Sequence, residues 1–199
     1  MKRQFLFYFI LISFTISAQE KFGTYKCPIS VKPFDISIYT SKDSTYLLNI
    51  DMFSNDKINK KGGIWISNEN HKEFTDKINE AKIKYSEWVK VAKQNNVKDF
   101  YKEMDINFRV LIAYFYYGNK ITQQMGVDLK FSFSVIANNL SLIIRTGELK
   151  SISNEFMIHQ GFMFVFRSEK EISDFLNKIS ISKVNDFIKK PKVKDLFKN

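Results

Sequence analysis

The chain has 199 residues, 44% hydrophobic and 16% aromatic, with seven Gly, three Pro and a formal charge of +10. That composition excludes collagen-like, proline-rich and broadly disordered classes, which lack the apolar surface needed to offset the entropy of ordering. A single cysteine excludes a disulfide scaffold.

The first residues read as an address. Met1-Lys2-Arg3 is positive, residues 5–12 are apolar, Phe14 to Ile16 extend the run, and the small Ser17-Ala18 precede Gln19-Glu20. A charged start, a short apolar run and a small-residue exit form a secretory signal peptide, residues 1–18, with cleavage between Ala18 and Gln19. The run is shorter than the roughly 20 residues of a spanning helix. The Ser17-Ala-Gln-Glu20 exit resembles signal peptides of Bacteroidota-type Gram-negative bacteria, which implies a bacterial cell envelope. The expectation is one secreted domain, residues 19–199, in the periplasm or outside the cell, with no transmembrane segment in the mature chain. Glu20, Lys21 and Lys26 separate Cys27 from the apolar run, so lipid attachment there is not expected. Cys27 is left as a buried thiol or a partner in pairing between chains.

Removing residues 1–18 takes away Lys2 and Arg3 and no acid, leaving 29 basic against 21 acidic residues, or +8. Next in chain order, Phe34, Ile36 and Ile38 alternate with polar neighbours, as do Leu48, Ile50 and Met52. Period-two alternation means strands with one buried face, and the spacer at residues 40–44 makes them a hairpin. Gly62-Gly63 marks a bulge or close backbone approach ahead of a short strand, Ile64-Trp65-Ile66. Asn70-His-Lys-Glu73 resembles a capping box. Phe74, Ile78, Ala81, Tyr85, Trp88 and Ala92 then form one apolar stripe on a long helix, which Asn95-Asn96 stops. Glu73–Lys77 and Glu80–Lys84 are i,i+4 pairs.

A helical turn is expected through Phe100 and Met104, followed by a β-meander. Its first strand is 106–117, broken by Gly118, and its second is 127–135. Asn138-Asn139 is read as a two-residue turn that sets Val135 opposite Leu142 and Phe133 opposite Ile144. Phe156 to Phe166 is read as a last strand with Gly161 as a bulge. Ser168-Glu-Lys-Glu171 caps a helix bearing Ile172, Phe175, Leu176 and Ile179, and residues 182–190 add a second, ended by Pro191. Residues 189–199 read as a frayed basic tail. The fold class is α+β: a curved, mainly antiparallel sheet of about seven strands, packed by one long central helix and C-terminal helices. The alternative is a barrel-like cup with a C-terminal helix.

The chemistry is sparse. His71, His159 and Cys27 lie far apart in sequence, so no metal set is nominated and no cofactor is called for. His71, at the expected helix start, reads as solvated, and His159 as a packed or rim histidine. Asp35 and Asp51 are carboxylates on strand faces; paired carboxylates hydrolyse glycosides only when held about 5–10 Å apart. The mature part has 26 Lys and three Arg, Arg109, Arg145 and Arg167. Arg is the residue of bidentate phosphate and base contacts, so nucleic acid is not the expected partner. The C-terminal Lys cluster is the candidate contact for an anionic surface. Tyr114 to Tyr117 and Phe162, Phe164 and Phe166 are core residues or walls of an apolar cup. If a cup exists, Lys130 and Arg145 share a strand face from which they would anchor a ligand's polar head. No catalytic residues are nominated. The function expected is an exported, non-enzymatic binding or interaction module of the cell envelope, for an apolar ligand or an envelope protein. The alternatives are a secreted hydrolase of envelope glycans and a charge-driven binder of anionic surfaces.

Overall fold

The computed structural model describes residues 19–41, 45–154 and 156–190. The signal-peptide reading through Ala18, residues 42–44 and the tail from Pro191 onward lie outside the described residues.

A first strand absent from the expected elements, β1 (Glu20–Tyr25), pairs with β2 (Phe34–Thr40). The alternating segments fold as the expected hairpin of β2 and β3 (Tyr46–Asp51), followed by β4 (Phe53–Ser54) and β5 (Gly62–Ser67). The long helix α1 (Asn68–Gln94) follows. Three strands then form the meander: β6 (Asp99–Tyr117), β7 (Lys120–Ile136) and β8 (Asn139–Thr146). The chain closes with β9 (Leu149–Lys150), β10 (Ile158–His159), β11 (Phe162–Phe166), α2 (Glu169–Lys178) and α3 (Ile181–Lys189). This is an α+β fold, mainly antiparallel. Nine strands form one sheet in the order β1-β2-β3-β5-β6-β7-β8-β11-β4, and β9 and β10 form a separate pair. The barrel-like alternative is not realised, because the sheet is open with β1 at its edge. It is nevertheless curved, since only Met52 separates β3 from β4, which pairs with β11.

The core lies between the inner sheet face and α1 with α2. Ile36, Ile38, Leu48, Ile50, Ile64 and Ile66 supply one side, and Phe74, Ile78 and Ala81 of the α1 stripe the other, all at most 1% exposed. Phe131, Phe133, Phe162, Phe164 and Phe166 fill the rest, so these aromatics are core. The paired glycines are a close backbone approach: a Cβ on Gly63 would overlap the Ile50 carbonyl oxygen, and one on Gly62 would overlap the Phe162 ring and the Tyr114 carbonyl. Cys27 is fully buried, with its sulfur 4.0 Å from the Val165 carbonyl oxygen, which removes it from pairing between chains.

Several local readings are corrected. The N-cap of α1 is Ser67, whose hydroxyl accepts from Asn70 N–H, three residues before the expected box. Glu80 pairs with Lys77 (3.2 Å) and Lys84 (3.4 Å). No ion pair joins Glu73 to Lys77 among the described residues. The residues read as a turn through Phe100 and Met104 belong to β6, already paired with β7 from Asp99 onward. The β7–β8 turn is Ala137-Asn138, both at positive φ (48° and 67°), as a type I′ turn requires. The register is therefore Val135 opposite Leu140 and Phe133 opposite Leu142, two residues from the expected one. A shift of two keeps every side chain on its face, which is why the apolar pattern did not reveal it. Gly161, at φ +85°, lies in the break between β10 and β11 rather than bulging a continuous strand, and residues 156–157 lie outside both strands.

Candidate functional site

The concave feature with the best chemistry lies where α1 ends and β6 begins. Asn95 and Asn96 stop the helix in a Schellman motif. Asn96 takes the left-handed conformation (φ 52°), Val97 N–H donates to the Ala92 carbonyl (2.9 Å) and Asn96 N–H to the Lys93 carbonyl (3.3 Å). The hydrophobic contact that accompanies this motif brings Val97 back onto the last helical turn. The chain then enters β6, and pairing of Phe100 with Val135 and of Lys102 with Phe133 sets both beside β7.

The result is a groove of about 240 Å³ lined by Trp88, Val91, Ala92, Val97, Phe100, Lys102 and Phe133. Phe133 and Ala92 form its buried floor. Trp88 stands edge-on to Phe133 at 5.8 Å between ring centroids, and Phe100 is tilted against it at 6.3 Å. Val91 and Phe100 are 54% and 43% exposed, an open apolar surface. The Lys102 ammonium lies 5.0 Å from the Trp88 ring centre, where the ring quadrupole holds a cation at the groove's edge.

Lys130 and Arg145 are brought together as direct cross-strand neighbours in β7 and β8. They sit on the other face of the sheet from Phe133, and neither lines the groove. Arg145 donates to the Tyr101 hydroxyl (2.9 Å) and pairs with Glu103 (3.1 Å). That hydrogen bond is the main reason the Glu103 carboxyl is held below its ordinary pKa. Gln19, the expected first residue after cleavage, is exposed just before β1.

The other candidates resolve into packing. His71 is buried, not solvated: its Nδ1 meets the Tyr46 hydroxyl at 2.7 Å, while its Nε2 has no partner. His159 is also buried and stacks on Phe162 at 4.2 Å. Its Nδ1 accepts from Gly161 N–H (2.9 Å), so Nε2 carries the proton and donates to the Asn59 carbonyl (2.8 Å). The Ser54 hydroxyl is 3.1 Å from that Nε2 but itself donates to Asn59 (2.8 Å). A ring nitrogen already bearing a proton cannot take one from serine, so this is no nucleophile–base pair.

Asp35 is paired with Lys21 at 2.7 Å. Asp51 accepts from the Tyr114 hydroxyl and from Asn49 (3.4 Å). Burial pushes the Asp51 carboxyl up, with the Tyr114 and Asn49 hydrogen bonds pulling against it. Burial also drives the Tyr114 phenol well above its usual value. Among the described residues, no three His, Cys, Asp or Glu side chains are placed to hold a metal ion. No family model matches the chain, and neither does any curated protein or solved structure.

Proposed function

We propose that the chain is an exported, non-enzymatic binding module of a cell envelope that grips an apolar group carrying a negative charge. The export half rests on the Lys2-Arg3, apolar-run and Ser17-Ala18 pattern of residues 1–18. Among the described residues, no helix is long and apolar enough to cross a membrane.

The binding half rests on one observation: the Trp88–Phe100–Phe133 groove is apolar throughout except for Lys102. Its size selects the occupant. Pockets that engulf a drug-sized ligand run from about 300 to 1,000 Å³, and about 240 Å³ takes one ring or one short alkyl segment. The groove is therefore an anchor for the end of a small acid, or for an apolar side chain of an envelope protein with an acidic neighbour. Lys102 selects the charge, and the aromatic walls supply the grip.

The test is Trp88 fluorescence, in a Trp65→Phe background, titrated with octanoate and octylamine as matched probes. Octanoate should give a saturable change with at least about tenfold higher affinity than octylamine, and Lys102→Glu should reverse the preference. Equal affinities, or no saturable change with either, would overturn the reading.

A further inference from the structure

The end of the molecule opposite the groove carries a second surface. Three hydrogen bonds draw three segments together there. Tyr116 N–H donates to the Lys61 carbonyl (3.0 Å), His159 to the Asn59 carbonyl (2.8 Å), and Ile152 N–H to the Gln123 carbonyl (3.1 Å). Loop 55–61, the tip of the β6–β7 hairpin and the β9–β10 connection thus share one end. Their apolar side chains face outward: Ile58 is 86% exposed, Phe156 85%, Ile152 61%, Met125 59%, Ile121 57% and Ile158 40%. Isolated apolar side chains are ordinary on a surface, but a concentration of large ones at one end marks an interaction site.

The charge of the same segments is positive. Lys57, Lys60, Lys61, Lys120 and Lys150 stand against Asp56, Glu148 and Glu155. On α1, three of the six lysines pair with acids: Lys72–Asp76 at 2.6 Å, Lys77–Glu80 at 3.2 Å and Lys84–Glu80 at 3.4 Å. Among the described residues, no ion pair joins any of the five lysines at the tip. Lys61 instead lies 6.0 Å from the centre of the Tyr116 ring.

We propose that this end docks on an anionic lipid bilayer, with Ile58, Ile121, Ile152 and Phe156 entering the headgroup boundary and the lysines meeting lipid phosphates. Two features favour a bilayer over a protein. The two most exposed apolar groups of this end, Ile58 and Phe156, stand on separate loops instead of walling one hollow, as interfacial anchors do. Lys60 donates to the Asp56 carbonyl, but among the described residues no acid neutralises these lysines, and they match a negative surface at low cost in geometry because lipid headgroups rearrange around them. The placement has a consequence for the groove. Phe100 and Tyr117 are separated by the length of β6, about 55 Å of contour at ~3.3 Å per residue. A docked molecule would hold its groove away from the bilayer. The docking inference does not depend on what the groove binds.

The test reads the tip itself, so residues 1–18 can remain in every sample. A Phe156→Cys chain is labelled with an environment-sensitive fluorophore; the buried Cys27 should stay unlabelled, which the wild type controls. Vesicles of phosphatidylglycerol with phosphatidylcholine should shift the emission as the label leaves water. Phosphatidylcholine alone, or the Lys57→Glu/Lys60→Glu/Lys61→Glu variant, should weaken that response at least about tenfold. A label at Lys102→Cys should remain in water. A Phe156 label that stays solvated on anionic vesicles, or responds equally on neutral ones, would overturn the proposal and leave a protein partner as the occupant.

Discussion

Acidification from about pH 7.5 to 5.5 should destabilise the fold by up to about 3 kcal/mol through two histidines. His71 and His159 are fully buried, and burial lowers both below the ordinary 6.5. A second proton on His159 would have to sit on Nδ1, facing the Gly161 N–H that now donates to it. On His71 burial opposes the second proton, against a weaker pull from the Ile179 backbone. The unfolded chain takes up both protons near 6.5, and the folded chain does not. Their stabilising effect is thus fully present above 6.5 and is lost as pH falls below it, down to the folded pKa. One unit below, each histidine that stays neutral in the fold costs up to about 1.4 kcal/mol. Asp51 acts in the opposite sense, because its raised pKa lets the folded state bind a proton before the unfolded one does. Urea unfolding at several pH values measures the balance, with Asp51→Asn removing the offset. His71→Phe and His159→Gln should each remove about half of the pH-dependent loss. An Asp51→Asn variant, with both histidines intact, whose stability is flat across this range would refute the reasoning.

Two further predictions rest on packing. Gly63→Ala places a Cβ on the Ile50 carbonyl between paired strands. It should cost at least about 3 kcal/mol or prevent folding, whereas Gly23→Ala, which meets nothing within 4 Å, should stay within about 0.5 kcal/mol by thermal melting. Cys27 is fully buried and its thiol is pushed up chiefly by that burial. It should resist a thiol reagent in the native protein and react stoichiometrically in denaturant; rapid native labelling would contradict its placement.

The sequence patterns that carried through were those where one residue face meets one solid surface. The α1 stripe and the alternation of β2, β3 and β7 are of this kind, and they sufficed for the fold class. The stripe also reached one residue further than read: His71 precedes Phe74 by three and is buried with it. That spacing was the signal that His71 is not solvated. The start of β6 was misread because residues 99–103 are all exposed and show no period. The β7–β8 turn was misplaced because Ala137 adopts a positive φ, which favours Asn and Gly over Ala. The groove was not legible, because its walls come from α1, β6 and β7, whose meeting depends on tertiary packing. The one local hint was Asn95-Asn96 followed at once by Val97, the composition of a Schellman end with its hydrophobic contact. Lys130 and Arg145 were correctly placed on one face but on the side of the sheet away from the groove.

The most direct test of the account is to map octanoate onto the protein by backbone amide chemical shifts. Perturbations should concentrate at Val91, Ala92, Val97, Phe100, Lys102 and Phe133 and saturate together with a single affinity. Perturbations centred on Lys130 and Arg145, or spread evenly over the surface without saturation, would contradict the groove as the binding site.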